Sequence, residues 1–160
     1  MLATAPTSAY MSVEQNTDLV PLKVHGVLVD PNTDTQIVVL RDETSADVLP
    51  IWVGATEGTS IRLALEGIVP PRPMSHDLIT SLTNHLGMTI SHIVVTDVKN
   101  NTYYAKVHLA SHGLNRTIDA RPSDAIALAL RAKSPIYVTQ DVLKRRGGAN
   151  LDAWLAKLAP

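Results

Sequence analysis

The sequence predicts an α+β domain: a mixed, largely antiparallel sheet with about three core helices and a short C-terminal helix. Three observations point to that class. Apolar residues recur with strand period in several short runs and with helical period in several others. The two kinds of segment come in blocks instead of strict alternation, which disfavours a doubly wound parallel sheet. A chain of 160 residues with 45% apolar and 18% charged content has the composition of one soluble globular domain able to bury a core.

In chain order, MLATAPTSAYMSVEQNTD (1–18) has neither strand nor helix period and is expected to be a flexible tail. LKVHGVLV (22–29), the turn DPNTD and QIVVLRD (36–42) read as a β-hairpin. VLPIWVG (48–54) is a third strand, with Pro50 favouring an edge or a strand start because it has no N–H for a ladder. TEGTSIRLALEG (56–67) changes to helical spacing, with Gly67 as its terminator. PPRP (70–73) is a rigid connector. The second helix is expected to start at a Ser75 cap, with Met74 and Ile79 as a hydrophobic staple, and to end at Gly87. Its buried stripe would be Leu78, Ile79, Leu82 and Leu86. TISHIVVTDV (89–98), TYYAKVHLA (102–110) and RTIDAR (116–121) form a meander, followed by a third helix over about 123–133 and a strand in PIYVTQ (135–140). A domain over 19–143 is thus expected, then a basic link and a terminal helix over 144–160 that places Leu151, Trp154, Leu155 and Leu158 on one stripe.

Composition narrows the chemistry. There is no cysteine, so thiolate metal sites, cysteine nucleophiles and disulfides are excluded, and the expected compartment is the cytoplasm. No apolar run reaches the ~18 residues of a membrane-spanning helix. The phosphate loop GxxxxGK[ST], the zinc helix HExxH, the elbow GxSxG and the dinucleotide turn GxGxxG are all missing. Net charge is −1, but residues 1–66 hold nine acids against three bases and the remainder eleven bases against six acids. A polyanion would therefore meet the second part of the chain, provided that sequence halves are also spatial halves.

The densest polar pattern is DARPSDAIALALR (119–131). Strand alternation puts Asp119 and Arg121 on one face, Pro122 keeps Arg121 extended, Ser123 is placed to cap a helix and Asp124 falls in its first turn. AIALAL is apolar on every side, so that helix should be buried with its start at a surface. Taken singly, these residues read as a surface ion pair and a cap. PPRPMSHDL (70–78) repeats the order of arginine, proline, serine and aspartate and adds His76, so two similar helix mouths are candidates for one cleft. His108 and His112 share a face with Lys106 and Tyr104 that reads as solvated, and His85 and His92 read as ordinary surface or packing residues. Trp52, Tyr103 and Tyr104 are capable of base stacking, but 4% aromatic content points Trp52 and Tyr103 to the core. Lys144, Arg145 and Arg146 read as a solvated basic link that is also able to track a phosphate backbone.

LPIWVG with ATEGTSIRLALEG, PPRPMSHDL, VTDVKNNTYYAKVHL and DARPSDAIALALR with SPIYV, in that order, closely resemble the bifunctional nuclease domain of bacteria and plants over residues 20–143. The resemblance implies an α+β domain that often self-associates and acts on both RNA and DNA. Carried over motif by motif, it implies Glu57, Arg72, His76, Asp77, Asp119, Arg121, Ser123 and Asp124 as site residues. The chain departs from the family's Glu-Ala pattern at Gly58 and Thr59, where glycine weakens the helix by ~1 kcal/mol. Phosphodiester hydrolysis needs a base or metal-bound water, positive charge on the phosphoryl oxygens and an acid for the leaving oxygen. The expected roles are catalysis for Glu57, His76, Asp77, Asp119 and Asp124, and phosphate binding for Arg72, Arg121 and Ser123. Mg²⁺ or Mn²⁺ is expected on Glu57, Asp119 and Asp124, with Asp77 as a further oxygen donor. RNA, DNA and a second copy of the chain are the expected partners. The rival reading is a non-catalytic module that binds an anion or a protein and self-associates; it takes support from a near-neutral net charge.

Overall fold

The computed structural model describes residues 18–148. Expectations for residues 1–17 and for the terminal helix after 148 lie outside the described residues. Seven strands, β1 (Leu19–Val29), β2 (Gln36–Arg41), β3 (Val48–Val53), β4 (Thr89–Lys99), β5 (Thr102–Ser111), β6 (Leu114–Ala120) and β7 (Ile136–Thr139), form one sheet in the order β3-β2-β1-β7-β4-β5-β6. β4 pairs parallel with β7 while the remaining neighbours pair antiparallel, so the sheet is mixed and mostly antiparallel as expected. The helices among the described residues are α1 (Ala55–Leu65), α2 (Ser75–His85), α3 (Pro122–Ala132) and α4 (Gln140–Arg146).

Turn chemistry sets the meander. Lys99 pairs with Thr102 and Ser111 with Leu114, leaving two-residue loops whose central residues all have positive φ: Asn100, Asn101, His112 and Gly113. Such turns match the strand twist and favour asparagine and glycine. The Pro50-bearing strand β3 lies at one edge of the sheet order, and β6 at the other. Helix α3 lies in the core: Ala125, Ile126, Ala127 and Ala129 are fully buried against Ile93, Val95, Ala105 and Val138 of the sheet.

Several local expectations are corrected. Ser75 and Ser123 are not caps: the N-caps are Met74 and Arg121, neither with a side-chain oxygen, and Pro122 is the first helical residue of α3. Proline's fixed φ suits that first position, so the helix begins at the proline and not after it. The α2 stripe is not buried, since Leu78, Ile79, Leu82 and Leu86 are exposed and only His76 of α2 is buried. The inward side of α2 is its polar first turn, which is tied to α1 and α3 by hydrogen bonds and so turns the leucines outward. Residues 144–146, expected within a link, belong to α4, which Thr139 caps through the Val142 N–H and which buries Val142 and Leu143. His92 and His108 are both buried, paired in register with rings stacked 4.2 Å apart, and burial lowers the pKa of His108. Trp52 is 50% exposed and is not a core residue. At Gly58 the Gln36 side chain occupies the place that a Cβ would need, so the family departure there is matched by packing, and α1 keeps its start.

Candidate active site

Three helix starts converge. Thr56 and Glu57 of α1, the N-cap Met74 with Ser75 and His76 of α2, and the N-cap Arg121 with Asp124 of α3 border one cavity of about 460 Å³. Its floor is apolar, with Ile90, Val107, Leu109 and Leu128, and its rim includes Ile118 and Asp119 of the edge strand β6. Each helix N-terminus contributes roughly half a positive charge, and its first N–H groups lack intrahelical partners.

A hydrogen-bonded chain runs inward from the cavity mouth. Arg121, two-thirds exposed, donates Nε–H to Asp124 Oδ2 at 2.8 Å and a terminal N–H to Oδ1 at 3.3 Å. His76 Nε2 lies 2.8 Å from Asp124 Oδ1, and His76 Nδ1 lies 2.6 Å from Ser60 Oγ in α1. Burial alone would raise the Asp124 carboxyl, but the Arg121 and His76 contacts outweigh it and hold the pKa below the usual aspartate value. The hydrogen bond from Arg121 is likewise the main cause of its own raised pKa. An ionised Asp124 only accepts, so Nε2 carries the proton that faces it. In neutral His76, Nδ1 then accepts the Ser60 hydroxyl proton. Ser60 was missed in the sequence because it lies within the helical run of α1 and outside any motif; only the fold brings it to His76.

Other candidates are placed differently. Asp77 accepts the Met74 N–H at 2.9 Å and Arg131 Nε–H at 2.8 Å, so it locks α2 to α3 and does not border the cavity. Burial opposes its ionisation, yet Met74 and Arg131 together lower its pKa. Arg131, almost buried, also donates to the Ser60 carbonyl at 3.3 Å, another link that motif reading did not find. Arg72 is exposed in its connector and borders neither this cavity nor the adjoining cleft. Asp119 is exposed, opposite Lys106 in the ladder, and borders the same cavity as His76. Glu57 is half-buried, folded back over Gly54, and adds to the field on Arg121. Ser123 is buried and faces a second cleft on the far side of Glu57 and Arg121.

Glu57, Asp119 and Asp124 thus border one cavity but do not form a preformed metal centre. Among the described residues no three His, Cys, Asp or Glu side chains gather closely enough to hold an ion. Asp124 is moreover committed to His76 and Arg121.

The model of the bifunctional nuclease domain matches residues 38–150. The chain belongs to the bifunctional nuclease domain family. Its relatives include an uncharacterized protein of Mycobacterium tuberculosis, 36% identical over 126 residues that cover 79% of this chain and 75% of that protein. Bifunctional nuclease 1 of Oryza sativa subsp. japonica is 32% identical over 69% of this chain and 34% of its own length. Bifunctional nuclease 2 of Arabidopsis thaliana is 27% identical over 78% of this chain and 39% of its own length. The bifunctional nuclease match contains every candidate site residue together with Ser60 and Arg131. No helix among the described residues is long and apolar enough to cross a membrane.

Proposed function

We propose that this bifunctional nuclease domain hydrolyses phosphodiester bonds in RNA and DNA with little sequence preference, at the cavity where α1, α2 and α3 begin. The observation that carries the reading is the Arg121, Asp124, His76, Ser60 chain at three converging helix starts. Arg121 and the helix starts hold the phosphoryl oxygens. Glu57, a half-buried side chain that borders the cavity, takes the proton of the attacking water as the P–O bond to the leaving group breaks. His76 acts as the acid when both ring nitrogens carry protons: it gives the Nε2 proton to the leaving oxygen and returns to the neutral ring, keeping on Nδ1 the proton that Ser60 Oγ then accepts. Asp119 at the rim and Ser123 beyond Arg121 are proposed to steer the strand, and Asp77 to fix His76 through α2. Arg72 is proposed only as an outer phosphate contact.

A divalent cation keeps a narrower place in this proposal. Glu57, Asp119 and Asp124 set three carboxylates against Arg121, so a phosphate entering the cavity benefits from further positive charge. Mg²⁺ commonly binds through one or two carboxylates plus substrate phosphate, and Mg²⁺ or Mn²⁺ entering with the substrate is the form proposed. A second copy is proposed as a partner for the exposed Leu78, Leu82 and Leu86 of α2 together with Leu114 and Ile118 of β6. The cytoplasm is the proposed location, on the absence of cysteine.

The test is cleavage of RNA and DNA by rigorously purified protein, with and without EDTA, alongside His76→Ala and Asp124→Ala. Loss of both activities in both variants is expected. Undiminished cleavage in the variants would assign the activity to a contaminant and favour the non-catalytic anion-binding reading. Full activity in EDTA would remove the cation alone.

A further inference from the structure

Two features of the candidate site exceed what phosphodiester cleavage requires. One is the cavity floor, where Ile90, Val107, Leu109 and Leu128 offer an apolar surface that a phosphate does not use. The other is the Ser60 hydroxyl. Threonines inside α1 and α2 turn their hydroxyls back to the carbonyl four residues earlier: Thr59 to Ala55 at 2.8 Å, Thr80 to His76 at 2.9 Å and Thr83 to Ile79 at 2.8 Å. Ser60, the neighbour of Thr59 in the same helix, is instead bonded to His76 Nδ1 at 2.6 Å.

Ser60, His76 and Asp124 supply a nucleophile, a base and an orienting carboxylate in unbroken contact. Asp124 Oδ1 lies 2.8 Å from Nε2, and its lowered pKa keeps it ionised, so it holds the Nε2 proton and leaves the Nδ1 lone pair directed at the Ser60 hydroxyl. A hydroxyl is a weak nucleophile until a neighbouring base takes its proton, and a base oriented by a third group does so. The ring nitrogens are exchanged relative to the serine proteases, in which Nε2 faces the serine. Roles define such a triad, and imidazole protonated on one nitrogen is basic on the other. Ser60 is 3% exposed but borders the cavity, and Arg131 holds its carbonyl at 3.3 Å.

We propose that Ser60 is the nucleophile of a second activity, the hydrolysis of carboxylic esters whose acyl group lies on the apolar floor. Its Oγ lone pair attacks the acyl carbon while the hydroxyl proton passes to His76 Nδ1, and the carbonyl electron pair moves onto oxygen. That oxygen is met by the positive start of α2, where Ser75 and His76 border the cavity. Collapse breaks the carbon–oxygen bond to the leaving alkoxide, which takes the Nδ1 proton and departs as an alcohol. Water then attacks the acyl-serine and gives one proton to Nδ1. The bond from the acyl carbon to Oγ breaks, the acid departs, and Oγ recovers that proton. Water is the only co-reactant, and Asp124 needs no cation because His76 and Arg121 already occupy it. This chemistry does not depend on phosphodiester cleavage at the same cavity.

The experiment uses the full chain in EDTA. The probes are p-nitrophenyl acetate, p-nitrophenyl butyrate and an alkyl fluorophosphonate, whose phosphorus exchanges fluoride for a serine oxygen. Butyrate should exceed acetate in kcat/KM by about tenfold, the worth of two buried methylenes. The fluorophosphonate adduct should map by mass spectrometry to Ser60 in the folded protein and disappear in urea. Ser60→Ala should abolish both turnover and adduct, and His76→Ala should slow adduct formation by about 10²–10⁴-fold. The chain has no cysteine, so Ser60→Cys carries a single thiol, and its alkylation by iodoacetamide in the folded protein reads access to that position even if Ser60→Ala fails to fold. The activity is overturned by the absence of an adduct on Ser60, by an adduct rate unchanged in His76→Ala, or by a thiol that only urea exposes. Turnover that persists in Ser60→Ala, as ordinary surface histidines would give, overturns it too, and equal kcat/KM for the two esters overturns the place of the acyl group. Cleavage of RNA and DNA is scored separately, and its absence beside a Ser60 adduct overturns the nuclease reading alone.

Discussion

The mouths of α2 and α3 are written in nearly the same residues and serve different ends. Both carry arginine, proline, serine and an aspartate at the third helical position. In α3 the arginine is itself the N-cap, three residues before Asp124, and folds onto it at the cavity mouth. In α2 the N-cap is Met74, so Arg72 falls two residues outside the helix, five before Asp77. Asp77 turns instead to its own N-cap N–H and to Arg131. Inserting two residues between proline and aspartate separates a charge that faces a ligand from a charge that holds the fold. Composition is shared; spacing assigns the work.

Exchanging the roles of the two aspartates experimentally gives the largest contrast. Asp124→Asn should cost a factor of about 10²–10⁴ in turnover and lower the melting temperature by less than Asp77→Asn does, because general acid–base contributions are of that size and the arginine it leaves behind, Arg121, is two-thirds exposed. Asp77→Asn should act the other way. It strips the partner from an almost buried Arg131, a loss of about 3 kcal/mol readable in urea unfolding, with a smaller effect on turnover in the folded fraction. The arginines sharpen the same contrast: Arg121→Ala should reduce cleavage by about 10²-fold, and Arg72→Ala by less than about twofold. Ser60→Ala should lower turnover by about tenfold, with Ser60→Thr recovering part of it. Its specific readout is the ¹⁵N shift of His76 Nδ1, which should move when the hydroxyl donor is removed; an unmoved shift would leave Ser60 as packing only.

The smallest effect is on pH. Both aspartates have lowered pKa values in the folded chain. Their contribution to stability is therefore fully present above the ordinary aspartate value of about 3.9 and is lost as the pH falls through the lower folded values. Asp77→Asn should flatten that acid limb in a stability profile. A limb as steep as the parent's would place the titration elsewhere.

How much of this was legible before folding depends on the range of the interactions. The meander, the buried α3 and the edge position of Pro50 follow from local period and turn residues. The α2 stripe misled because period shows which side of a helix is apolar but not which side has a partner. Here His76 and Asp77 decide the orientation across 48 and 54 residues of sequence. Ser60 and Arg131 were invisible for the same reason: each meets its partner only after α1, α2 and α3 have come together. Trp52 and His108 reversed their expected environments, while His92 took the packing role in the stack, since aromatic and imidazole side chains suit both core and surface.

Asp124 and Arg131 are seven residues apart on α3, two turns along one face, and they grip the consecutive residues His76 and Asp77 of α2. A helix riveted at two adjacent points cannot swing like a hinge without breaking both attachments. Breathing of the cavity thus falls to the opposite wall, where β6 is an outermost strand with little burial along its length. Hydrogen exchange should find that ribbon the quickest to open, with α2 protected to a degree that its bare leucines would never suggest.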